Sequence, residues 1–197
     1  LVAQAFKARY CQPCHVDFLG IWDTVKAYGW LRPRSFPALR HNLAVRTVRH
    51  AAALDERRAL FQMTGWSEDH PDVKEVWFAG DHSDVGGGHA TGNSGLTDAS
   101  LEWMLGEATR QELRLRACDL SIKAVQAIRE GALNAQTVTP HDLRRAFWPT
   151  RLLPRVELNN SRYPPAHRPA WFWTSGRRQP AVHAEEHPVL LHDTVRD

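Results

Sequence analysis

The segment Val73-Lys74-Glu75-Val76-Trp77-Phe78-Ala79-Gly80-Asp81-His82-Ser83-Asp84-Val85-Gly86-Gly87-Gly88 decides the architecture. Its first seven residues are mostly apolar strand formers that run straight into glycines and acidic turn residues, so a buried strand is expected to enter a tight loop. A segment of the same kind lies upstream, Val16-Asp17-Phe18-Leu19-Gly20-Ile21-Trp22, followed by Asp23 and Thr24. Between the two, Asn42 to Leu54 places Leu43, Val45, Val48, Ala52 and Ala53 among Arg and His at spacings that suit an amphipathic helix. The implied order is strand, helix, strand.

Downstream, Thr97 or Asp98 can cap a helix that carries Leu101, Met104, Leu105 and Ala108 on one face. Leu120 to Glu130 reads as another helix stopped by Gly131, and Thr139-Pro140 opens a shorter one through Phe147. Strands alternating with helices at these separations predict a parallel sheet with helices on its faces, and such sheets place chemistry at strand C-terminal ends. Residues 1–148 are expected to hold this α/β unit. Residues 149–197, with Pro149, Pro154, Pro164, Pro165, Pro169 and Pro180 among many arginines, are expected to form an extended tail of the same domain.

The bulk numbers fit a globular protein: 197 residues, 43% hydrophobic and 24% charged, which excludes collagen-like and wholly disordered chains. The 25 Lys and Arg are nearly balanced by 22 Asp and Glu, so no nucleic-acid partner is expected. No apolar run approaches the roughly 20 residues of a transmembrane helix, and Leu1 to Tyr10 lacks the pattern of a signal peptide. The first residue is Leu rather than Met, and the expectation is that sequence precedes it.

Asp23 and His82 each follow a predicted strand, in the order acid then histidine. A serine, acid, histidine order is that of the α/β-hydrolase triad, and a portion lacking its front shows this remainder. Taken singly, Asp23 equally suits a turn or helix cap, and His82 a plain loop histidine.

Four ordered segments carry a family resemblance: Phe18-Leu19-Gly20-Ile21-Trp22-Asp23-Thr24-Val25, His50-Ala51-Ala52-Ala53-Leu54-Asp55-Glu56-Arg57-Arg58, Glu75 to Gly88, and Leu96-Thr97-Asp98-Ala99-Ser100-Leu101-Glu102-Trp103-Met104. They resemble a family of α/β-hydrolase domains that includes the type VI secretion phospholipase effectors. The resemblance implies a doubly wound α/β-hydrolase-like parallel sheet, here without its N-terminal strands and nucleophile elbow. It also implies that Asp23 is the triad acid, His82 the triad base, and that the serine lies upstream in a Gly-Phe-Ser-Arg-Gly-like elbow. Ser94, in Gly92-Asn93-Ser94-Gly95, has the wrong spacing and follows His82, so it is rejected as nucleophile.

The implied activity of the complete protein is ester hydrolysis, with lipids as one substrate class. Asp84, Gly86 and Gly87 are candidates for the substrate loop. The implied location is the cytoplasm of the producing cell, with export by a type VI secretion system. The contrasting expectation is a non-catalytic remnant or binding module of the same fold.

No Lys-Ser or Lys-Thr follows the glycines, as a P-loop requires. Asp81, Asp84 and Asp98 suit turn capping better than a hard cation. Cys11-Gln12-Pro13-Cys14-His15 matches a haem-attachment pattern, but without a second cysteine pair it reads as free thiols. No metal and no cofactor are therefore expected. Asp55, Glu56, Arg57 and Arg58 suit either ion pairs near the site or a solvated helix end. Trp171-Phe172-Trp173 beside Arg168, Arg177 and Arg178 suits contact with a membrane surface or docking aromatics.

Overall fold

In a computed structural model of the chain, the described residues are 2–12, 14–25, 44–58, 61, 63, 65–66, 70–89, 95–113, 122–142, 155–159, 166–170, 178 and 190–195. Both predicted strands are present as β1 (Val16–Trp22) and β3 (Val73–Phe78). The segment between them is a strand as well, β2 (Val45–Ala53), where the spacing predicts a helix. Every residue of β2 except Arg46 is buried, so both faces are covered and no polar face marks the period of two. Its polar members mimic a helix's solvated side but are paired internally. Thr47 donates to Asp72 at 2.8 Å, Arg49 to Glu107 at 2.7 Å and to Asp72 at 2.8 Å, and His50 Nδ1 lies 2.9 Å from Glu75.

The three strands form a parallel sheet in the order β1, β2, β3, joined beyond β3 by the short parallel β6 (Leu190–Leu191). Trp22 lies opposite Ala51, and Ala53 opposite Phe78, so the ends that follow β1 and β3 open on the same edge. Successive residues of β2 and β3 point to opposite faces. Ala51, Ala53, Val76 and Phe78 pack on one face with Val85, Met104, Phe18, Trp22 and Trp103. Ala52 and Trp77 pack on the other with Leu54, Met63 and Val195.

α3 (Gly95–Arg110) covers the first face through Met104, in the region where a helix is predicted from Thr97 or Asp98. Its Glu107 is buried and gathers Arg49, Lys74 and Arg110. α4 (Ile122–Asn134) packs against α3 and runs through Gly131 instead of stopping there. The glycine serves close approach: a Cβ on Gly131 would stand 2.0 Å from Asp98 Oδ2.

The predicted tight loop after β3 contains a helix, α2 (His82–Gly86), because Asp81 and Asp84 form a reciprocal capping box. The helix expected from Thr139 is absent over residues 139–142, where His141 bonds Asp84 through its backbone N–H, and residues 143–147 lie outside the described part. The proline-rich stretch is not wholly irregular. β4 (Arg155–Asn159) and β5 (Ala166–Ala170) pair antiparallel, and β6 extends the main sheet. At the N-terminus, α1 (Val2–Tyr10) buries none of its residues. No helix among the described residues is long and apolar enough to cross a membrane.

Candidate active site

Asp23 is the residue after β1, and its N–H still bonds the Ala51 carbonyl at 2.7 Å, so the ladder of β1 and β2 delivers it to the open edge. There its backbone turns to φ 37°, a left-handed conformation that aspartate tolerates better than most residues. The turn aims the carboxylate inward, where it is fully buried. Its Oδ1 accepts the Ala53 N–H at 3.0 Å and its Oδ2 accepts His82 Nδ1–H at 2.8 Å. Burial pushes this carboxyl up, but the hydrogen bond from His82 and the charge and hydrogen bonds of Arg178 outweigh it, and the net shift is downward.

His82 opens α2. The preceding Gly80 has φ 110°, and a Cβ there would lie 2.4 Å from Asp84 Cβ, so only glycine lets the chain turn this tightly from β3 into α2. Gly80 and Asp55 exchange bonds, Asp55 N–H to Gly80 O at 2.9 Å and Gly80 N–H to Asp55 Oδ2 at 2.9 Å. The ends of β2 and β3 are thereby tied at the level where Asp23 and His82 meet. Glu56 Oε2 accepts the His82 N–H at 3.1 Å and also pairs with Arg58 at 2.6 Å. The Arg58 guanidinium lies 3.7 Å over the Phe61 ring, and Phe61 meets the His82 ring edge-on at 5.1 Å. Glu56 and Arg58 therefore form a buried ion pair beside the histidine, and neither lies at a solvated helix end.

With Nδ1 donating to an ionised Asp23, Nε2 of His82 is the nitrogen left to accept a proton, and the ring keeps 31% of its surface exposed. A buried carboxylate that orients a partly exposed imidazole is an arrangement able to relay a proton at the second ring nitrogen.

The remaining candidates fall elsewhere. Asp84 is buried within α2, where its Oδ2 accepts the Asp81 N–H at 3.0 Å and the His141 N–H at 2.9 Å. Gly86 and Gly87 are exposed at the C-terminal end of α2. Cys11 and Cys14 are free and exposed. Ser94 and Trp171-Phe172-Trp173 lie outside the described residues. Arg178, expected beside those aromatics in a surface patch, instead binds Asp23 through both of its terminal nitrogens. No local pattern announced that contact, since 155 residues separate the partners.

The architecture is thus that of an α/β protein with an acid–histidine pair at the open edge of a parallel sheet. The chain belongs to the family described as "T6SS, Phospholipase effector Tle1-like, catalytic domain", whose model matches residues 2–107. It is also 38% identical over 63 residues to the uncharacterized protein YEL023C of Saccharomyces cerevisiae. That match spans 31% of this chain and 9% of the yeast protein's length. No solved structure matches the chain.

Proposed function

We propose that this chain supplies the acid and base of a serine ester hydrolase of the phospholipase class, with Asp23 and His82 as triad members and the serine encoded upstream of Leu1. The observation that carries the reading is the 2.8 Å bond between His82 Nδ1 and the buried Asp23 Oδ2, made across two strand ends. Membership of a phospholipase effector family supports a glycerophospholipid substrate, contact with a lipid surface, and export by a type VI secretion system. Among the described residues β1 pairs only with β2, so its outer edge is where preceding strands of a doubly wound α/β-hydrolase sheet would add. The contacts of β6 and Arg178 with the sheet and Asp23 support treating residues 149–197 as part of the same domain.

In this mechanism His82 Nε2 takes the proton of the serine hydroxyl as its oxygen attacks the ester carbonyl. The imidazolium that forms is stabilised by Asp23 and then protonates the leaving alkoxide. Water, activated by the same nitrogen, releases the fatty acid from the acyl-serine. Exposed Gly86 and Gly87 offer backbone that substrate can approach closely, while buried Asp84 holds α2 in place.

A second reading, a binding module that keeps the acid and histidine without a nucleophile, is favoured by Arg178. Its guanidinium already neutralises Asp23, as a purely structural ion pair would. The test is to extend the coding sequence upstream and express the longer product. Fatty-acid release from mixed glycerophospholipids and short acyl esters is then assayed beside a Ser→Ala variant of any Gly-x-Ser-x-Gly elbow. Serine-dependent release supports the hydrolase; an absent elbow and no release leave the binding module.

A further inference from the structure

We propose that Asp84, His89 and His141 form a binding site for a divalent transition-metal cation of the zinc class. The three residues come from α2, the segment after it, and the stretch that follows α4, so no sequence motif joins them. One donor atom from each lies within 4.8 Å of the others. Asp84 Oδ1 is 2.6 Å from His141 Nδ1 and 3.4 Å from His89 Nε2. Two imidazoles and a carboxylate are a borderline donor set, which suits zinc better than calcium or magnesium.

Charge supplies the second argument. Asp81 and Asp84 are both buried and adjacent, 2% and 1% exposed. Among the described residues neither pairs with Lys or Arg; their ion-pair partners are His89 and His141, which carry charge only when protonated. Asp81 Oδ1 accepts the N–H groups of Ser83 and Asp84, at 2.8 and 2.9 Å, but Oδ2 is buried with no hydrogen-bond partner among the described residues. Two buried carboxylates without a permanent cation are costly, and an orphaned carboxylate oxygen adds to the cost. A divalent cation on Asp84, with water as a fourth ligand, supplies the permanent positive charge that these two carboxylates lack. The outer bonds of the set are already made, since Asp84 Oδ2 holds the N–H groups of Asp81 and His141 and so fixes the direction of Oδ1.

The geometry requires one adjustment. The rings of His89 and His141 are stacked at 3.9 Å with 18° between their planes. Around a tetrahedral zinc with Zn–N of about 2.0–2.1 Å, ring centroids stand roughly 5 Å apart, so loading opens the stack by about an ångström. Both histidine side chains are partly exposed, at 16% and 29%, which leaves room to turn. Closed on a metal, the set clamps α2 to the segment after α4. The inference is independent of the hydrolase mechanism.

The test uses the full chain carrying Cys11→Ser and Cys14→Ser, which removes the exposed thiols as rival ligands, stripped of metal and titrated with Zn²⁺ against a chromogenic chelator. The expected result is one equivalent bound, a higher Tm when loaded, and Co²⁺ absorption bands of four-coordinate intensity. His89→Ala and His141→Ala should each weaken binding about tenfold or more. The double variant should lose the bound equivalent and the Tm rise while keeping the circular dichroism of the parent. A parent chain that binds no Zn²⁺, or a double variant that binds it unchanged, overturns the proposal.

Discussion

Arg178 shares an oxygen of Asp23 with the histidine: its Nη2 donates to Asp23 Oδ2 at 3.2 Å, on the atom that accepts His82 Nδ1–H at 2.8 Å. The same guanidinium donates to the Ala53 carbonyl at 2.9 Å and to the Phe61 carbonyl. One side chain from the C-terminal stretch therefore gathers the ends of β1 and β2 and the residue that packs on His82. Asp23, fully buried, therefore rests on the guanidinium of Arg178 as well as on the histidine.

Replacing Arg178 should for that reason cost stability out of proportion to a surface arginine. Arg178→Gln leaves a buried carboxylate with only His82 and the Ala53 N–H, and the expected loss is roughly 3 kcal/mol, as for other buried pairs broken on one side. Urea unfolding of the two proteins measures it. A midpoint unchanged from the parent would show that the ion pair carries no weight in the fold.

Acid should expose the same linkage. The folded-state value of Asp23 lies below its ordinary 3.8, so its contribution is fully present above the unfolded value and is lost as pH falls through the folded one. Asp72 and Glu107 act in the same direction. At both, burial pushes upward but is outweighed, by Thr47 and Arg49 at Asp72 and by Lys74 and Arg49 at Glu107. Asp23→Asn should be less stable than the parent above about pH 5, with the gap closing as pH drops below 4. Unfolding followed between about pH 3 and 6 tests this; a gap that stays constant would mean that Asp23 titrates alike in both states.

Gly80 is the position where a single methyl should do most damage. Gly80→Ala combines φ 110° with a Cβ only 2.4 Å from Asp84 Cβ, and the backbone there cannot yield without moving α2. A loss of about 2–4 kcal/mol is expected, read as a fall in Tm. Retention of the parent's Tm would mean that the turn into α2 differs from the one described.

How much of this was legible in the sequence depended on whether a residue's partners are local. β1 and β3 were legible because their apolar runs end in turn residues. β2 reads as a helix in the sequence because its buried Thr47, Arg49 and His50 imitate a helix's polar side, and only their distant partners Asp72, Glu107 and Glu75 reveal the strand. α2 had a local signal in the three-residue spacing of Asp81 and Asp84, a capping box obscured by the glycines after it. Asp23 and His82 could be singled out from strand ends and chain order, and the fold places them in contact. Arg178 on Asp23 and His141 on Asp84 had no such route, since each contact joins separate regions of the chain, across 155 and 57 residues.

If Asp23 and His82 act as one catalytic unit, their removal should not add. In the longer, serine-containing product, Asp23→Asn is expected to lower kcat about 10⁴-fold, because an asparagine in its place favours the wrong imidazole tautomer and cannot stabilise the imidazolium. His82→Ala should cost at least as much, since it removes the base itself. Asp23→Asn also loses its ion pair with Arg178, so rates must be normalised to folded protein by circular dichroism. The double variant separates the alternatives: a unit predicts activity no lower than that of His82→Ala alone, because an acid without its histidine has nothing left to orient. Losses that multiply would instead assign Asp23 a role apart from His82, in holding the edge of the sheet together with Arg178.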